Sequence, residues 1–131
     1  MDLIVLDASA AVEILLRTHT GRSLQTQLPA PADVWVPEHF YSETASVLRR
    51  AELRSAVTPA RAERAIARLE LARFHRAQVR PLLRDAWRRR GHLTIADALY
   101  VVLAEQVGAT LVTADLNLAG SPGLAVPTIT P

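Results

Sequence analysis

Apolar residues along this chain alternate between two rhythms. LIVL at 3–6 is a short β-rich run with no polar interruption, the pattern of a central parallel strand buried on both faces. Asp7 ends it. ASAAVEILLR then turns to helical spacing, with Val12, Leu15 and Leu16 on one side and Glu13 off the stripe. A weaker helix over 18–31 runs out in LPAPAD, and VWVP at 34–37 predicts a second strand stopped by Pro37. A long helix from about Glu38 to Arg54 places Phe40, Val47, Leu48 and Ala51 on one face. Thr58-Pro59 opens the next helix as N-cap and N1, with Ala65, Ile66, Leu69, Leu71 and Ala72 inward. AQVRP at 77–81 predicts a third strand, and LLRDAWRRRGH a helix ended by Gly91. From Thr94 a helix of almost unbroken apolar character runs to Gly108. TLVT at 110–113 and AVPTI at 125–129 supply two more strands, the last an edge because Pro127 interrupts it.

Strands alternating with helices predict an α/β domain with a parallel sheet and right-handed crossovers. Its length of 131 residues fits one domain, 1–131, with a core that needs no staples, and no repeat, linker or low-complexity segment divides it. Half the residues are hydrophobic, which argues against disorder. Cysteine is absent, so disulfides and thiolate metal sites are excluded and a reducing compartment suits the chain. MDLIVLD at the start is neither a signal peptide nor a membrane span, so the expected location is cytoplasmic, away from any membrane.

Charge narrows the chemistry. The net value is only +2, but all fifteen basic residues are Arg, the better fork for phosphate. Arg-rich codon usage explains the missing Lys as readily. Chemistry that needs a catalytic or phosphate-binding Lys is excluded either way.

Four acids stand where packing alone would not put them. Asp97 lies inside the apolar helix, and an unpaired carboxylate buried there costs several kcal/mol or takes up a proton. Asp115 follows the strand TLVT with no spacer but Ala114. Glu43 shares the face of Phe40 and Val47, whereas Glu38 and Glu52 fall elsewhere. Asp7 ends the first strand, where an N-cap role would explain it equally well. In parallel sheets ligands sit beyond the carboxyl ends of strands, at a switch in strand order. There these four acids would meet at one rim. Two carboxylates about 5 Å apart repel by roughly 3 kcal/mol at an effective dielectric near 20, so a cation must share the site or protons must be retained. Oxygen ligands without His or Cys favour Mg²⁺ or Mn²⁺. One or two such ions suit phosphodiester chemistry, activating water and steadying the departing oxygen. Ser9 and Thr113 are placed to hydrogen-bond these acids.

Taken together, VLDASA at 5–10, PEHFYSETASVL with Glu43, TIADALYVVLA with Asp97 and LVTADLNLA with Asp115 resemble the PIN-domain ribonucleases, above all the VapC toxins of bacterial toxin–antitoxin pairs. The likeness covers nearly the whole chain, in the family's order and spacing. It implies a three-layer α/β/α fold around a five-stranded parallel sheet. It also implies an acidic quartet of Asp7, Glu43, Asp97 and Asp115 that binds Mg²⁺ or Mn²⁺ and hydrolyses RNA internally. A homodimer and a cognate antitoxin that covers the site are implied as well. Asn117 stands where some relatives carry another acid.

RNA must also be held. Arg88, Arg89, Arg90 and His92 precede the Asp97 helix and would border the acidic rim to engage phosphates, or else form a solvated helix face with Asp85 as ion partner. His19, His39 and His75 read as surface or partner contacts, and Trp35 and Trp87 as core or interface. A receiver domain is excluded for want of Lys, and a haloacid-dehalogenase-like phosphatase because Ser9 stands in place of its second acid. The remaining rival is a catalytically silent PIN module that binds RNA or a protein partner.

Overall fold

The computed structural model describes residues 2–131. Five strands, β1 (Asp2–Leu6), β2 (Ala32–Pro37), β3 (His75–Ala77), β4 (Thr110–Val112) and β5 (Thr128–Ile129), form one sheet in the order β3-β2-β1-β4-β5. Every pairing is parallel. The chain steps outward from β1 to β3 and then jumps back to β4, so the strand order switches between β1 and β4. Their register pairs Leu6 with Val112, which brings Asp7 and Thr113 to the same end of the sheet.

Among the described residues seven α-helices surround the sheet: α1 (Ala8–Leu16), α2 (His19–Gln27), α3 (Phe40–Leu53), α4 (Pro59–Leu71), α5 (Leu83–Arg88), α6 (Ile95–Val107) and α7 (Leu116–Ala119). α1 packs with α2, α3 and α4, while α6 lies against β1, β2 and α5. Right-handed crossovers in opposite directions from the switch put these groups on opposite faces. Ile4, Val5, Val36, Leu111 and Val112 are almost fully buried from both sides, as their unbroken apolar runs require. α6 is apolar on most of its circumference for the same reason, with Ala98 to Ala104 all buried.

Caps fix the helix ends. Thr18, Thr58 and Thr94 each accept a backbone N–H in the first turn of α2, α4 and α6, and Gly108 ends α6 in the left-handed region. α2 crosses the end of α1 at Gly21, where a β-carbon would fall 2.0 Å from the Glu13 carbonyl oxygen. Only hydrogen fits there.

Four expectations are corrected. The third strand is 75–77 rather than 77–81: His75, Arg76 and Ala77 pair with Trp35, Val36 and Pro37 at the sheet edge. Val79 instead caps a 3-10 turn over Arg80–Leu82. Leu71 is exposed, because α4 ends there and Ala62 takes the inward place. Trp87 is exposed with the Arg90 guanidinium 4.8 Å above its ring, and so is not a core residue. Glu13 is half-buried rather than solvated, and the Thr18 hydroxyl donates to its carboxylate.

Candidate active site at the strand switch

Asp7 is 3 % exposed and caps α1, accepting the Ala10 N–H on Oδ1 at 3.0 Å. Capping does not exhaust it. Ser9 Oγ donates to the same oxygen at 2.7 Å, and Thr113 Oγ1 donates to Oδ2 at 2.7 Å. Both hydroxyls also accept from the backbone, Ser9 from Ala114 N–H at 3.1 Å and Thr113 from Asp115 N–H at 3.0 Å. Their protons are therefore directed at Asp7, and β1 and β4 are tied together across the switch by side chains as well as by the ladder. Burial pushes the Asp7 carboxyl above its ordinary value, and nearby Asp97 adds to this, against the three donated hydrogen bonds.

Asp97 lies in the first turn of α6, three residues after the Thr94 cap, and is half-buried. Burial first, and then Asp115, raise its carboxyl, while the Thr94 hydroxyl and His39 act the other way. Asp115 caps α7 through Oδ1, which accepts from Asn117 N–H at 2.9 Å and Leu118 N–H at 3.2 Å. Asn117 contributes that backbone donor, and its side chain is exposed.

Glu43 comes from the other side, in the first turn of α3. Tyr100 Oη donates to its Oε1 at 3.0 Å. Burial first, then the charge of Glu43, with Asp7 and Asp97 further contributing, drive the Tyr100 hydroxyl far above its ordinary value, so it remains a donor. His39 Nε2 sits 3.9 Å from Glu43 Oε2 and 3.2 Å from the Ala96 carbonyl, and its ring lies 4.9 Å from the Tyr100 ring. A carbonyl only accepts, so Nε2 carries the proton in that contact and the buried Nδ1 has no partner among the described residues. His39 and Tyr100 are thus part of the site, which the chain's order did not announce. The available signals were local: His39 is one turn before Glu43, and Tyr100 nearly one turn after Asp97.

Asp7 and Asp97 influence one another, Asp97 feels Asp115 and His39, and Glu43, Asp7 and Asp97 all act on Tyr100; none of the four acids forms an Arg ion pair among the described residues. Nor, among those residues, do three His or acidic groups stand close enough to hold an ion without further movement.

The arginine cluster is not gathered here. Arg88 pairs with Asp85 at 2.6 Å, and Arg89 binds both Glu105 oxygens at 2.5 and 2.7 Å, on the later turns of α6. Nearer carboxylates have captured both guanidiniums. Arg90 turns back to the Trp87 carbonyl and ring, and His92 is exposed.

Residues 4–121 match the PIN domain family, nearly the whole of the chain. The chain belongs to the PIN-domain family. Within that family it aligns with the VapC ribonucleases: it is 39 % identical over 116 residues to Ribonuclease VapC3 of Mycobacterium tuberculosis, covering 88 % of this chain and 85 % of that protein. The fold is also that of VapC20 from the same species, a Sarcin-Ricin loop cleaving toxin, at a TM-score of 0.66, 21 % identity and coverage of 90 % and 95 %. A toxin–antitoxin complex from Klebsiella pneumoniae matches at a TM-score of 0.64 and 16 % identity, covering 97 % of this PIN domain and 96 % of that chain. Among the described residues, no helix is long and apolar enough to cross a membrane.

Proposed function

We propose that this PIN-domain protein is a divalent-metal-dependent endoribonuclease, working in the cytoplasm as the toxin of a toxin–antitoxin pair, with 1–131 acting as one domain. The observation that supports the reading is the mutual influence of Asp7, Asp97 and Asp115 near the strand switch, with Glu43 linked to them through Tyr100; the Asp7 and Asp97 carboxyls are raised by burial first and then by an acidic neighbour. Mutual repulsion of that kind is relieved by a cation. The donors are all carboxylate oxygens, which suit a hard ion, so Mg²⁺ is the proposed cofactor, with Mn²⁺ able to substitute.

A bound divalent ion would supply charge stabilisation at the phosphate and a more acidic water. The protein's own groups set the ligands. Ser9, Thr113 and the Ala10 amide fix both oxygens of Asp7. Tyr100 fixes Oε1 of Glu43 from within the core, and His39 flanks Oε2. The α7 amides hold Oδ1 of Asp115, which leaves Oδ2 uncommitted among the described residues. These hydrogen bonds orient these carboxylates, and a bound ion would draw the acids closer together.

An RNA substrate and an antitoxin are supported by the names of relatives such as VapC3 and by the Klebsiella complex. Homodimerisation is supported by family likeness. The test is cleavage of mixed cellular RNA by the purified protein free of antitoxin, with Mg²⁺, Mn²⁺ or EDTA, beside Asp97→Asn. Discrete products that require metal and vanish in the variant are expected. Absence of both cleavage and Mn²⁺ binding would replace this reading with a silent module that binds RNA or protein.

A further inference from the structure

The carboxyl-terminal end of α1 faces a cleft of about 310 Å³ that is lined by Leu16 and five arginines, Arg17, Arg22, Arg61, Arg64 and Arg68. Asp7 caps one end of this helix and Arg17 the other, so the cleft lies about 14 Å along α1 from the acidic site. No acidic side chain lines it, and none of the five arginines is within ion-pair distance of a carboxylate among the described residues.

Helix capping explains two of the five. Arg61 Nη2 donates to the Leu16 carbonyl at 2.9 Å and Arg68 Nη1 to the Leu15 carbonyl at 2.6 Å, satisfying the open end of α1. These contacts also fix two guanidiniums in place. Arg17, Arg22 and Arg64 have no such task. Arg17 even occupies a left-handed backbone conformation, φ 55°, where glycine or asparagine is the usual residue. The crowding is uncompensated: Arg68 is pulled below its ordinary value by desolvation first and then by Arg17 and Arg64.

We propose that this cleft is a second binding site, for a compact oligophosphate, separate from the cleavage site. Guanidinium forks pair with phosphate oxygens in bidentate fashion, and closely spaced phosphates match this charge density. Leu16 supplies the only apolar side chain of the lining and no aromatic ring joins it, so the contacts are made to phosphate rather than to a base. Free oligophosphate and the backbone of RNA share this chemistry, and the compactness of the cleft selects the first.

The test is calorimetric titration of the full chain in EDTA at about 0.15 M ionic strength, which keeps it independent of metal and of cleavage. Inorganic triphosphate is one titrant and a short 5′-hydroxyl oligouridylate the other. The variant is R22Q/R64Q, chosen because neither side chain makes a hydrogen bond within the described fold, with circular dichroism and thermal melting to verify folding. Saturable one-to-one triphosphate binding, weakened about tenfold or more in the variant, is the expected result, with the oligouridylate binding more weakly. Absence of triphosphate binding, or equal binding in the variant, overturns the proposal. Tighter oligouridylate binding that the same substitutions abolish overturns it too, making the cleft an RNA-backbone contact.

Discussion

Tyr100 of α6 and Glu43 of α3, far apart in the chain, are joined by a single hydrogen bond of 3.0 Å. The ring belongs to the core and the hydroxyl to the site, so packing and chemistry are served by one side chain. Tyr100→Phe keeps the ring and leaves Glu43 Oε1 without its donor. The expected result is a loss of stability of about 1 kcal/mol with a fall of roughly tenfold in the metal-dependent cleavage rate. Urea denaturation and initial rates, measured on the same preparation, check it; an unchanged rate would remove Tyr100 from the site.

Burial holds Asp7 and Asp97 above the ordinary carboxylate value of 3.8. The folded protein therefore binds these two protons more tightly than the unfolded chain does. Below 3.8 both states are protonated and the groups contribute nothing. As pH rises through the folded values, stability is lost, and the deficit is complete above them. Asp97→Asn without metal is thus expected to lose less stability than the parent between acid and neutral pH, and with Mn²⁺ added to cleave more than about a hundredfold more slowly. Denaturation across pH in EDTA reads the difference. A steeper loss in the variant would contradict the burial account.

At Gly21 the backbones of α1 and α2 approach so closely that a methyl group would overlap the Glu13 carbonyl. Gly21→Ala forces the two helices apart and is expected to destabilise the protein by about 1–3 kcal/mol. A chemical-denaturation midpoint unchanged from the parent would show that the crossing gives way freely.

Arg89 and Glu105 form a two-oxygen ion pair in which each side chain is 23 % exposed. Arg89→Gln is expected to lower stability by about 1–2 kcal/mol and to leave RNA affinity within about twofold, because the guanidinium is already engaged. A fall in RNA affinity without a stability change would restore Arg89 to the substrate surface.

Much of the fold is legible in the sequence because the central strands β1 and β4 carry apolar runs, Ile4, Val5, Leu6 and Leu111, Val112, that are buried on both faces. β3 escapes that logic. His75 and Arg76 are exposed edge residues, and their place is decided by pairing with β2 rather than by an apolar pattern. The four acids stand out because each breaks a hydrophobic setting, and Ser9 and Thr113 because they flank strand ends. Arg89 could not be placed the same way, since its partner Glu105 lies sixteen residues on and a long side chain selects whichever carboxylate folding brings near. α7 is too short to show a period, and Asp115 had no sequence pattern to mark it as a cap.

The bond from Thr113 to Asp7 spans 106 residues. Asp7 is made more than a hundred residues before the Thr113 hydroxyl that holds its Oδ2, and before the acid at 115. Ser9 and the Ala10 amide come early but bind only Oδ1. The proposed nuclease would therefore stay inert until β4 has paired beside β1, so a partly folded chain holding Asp7, Glu43 and Asp97 would not yet cleave.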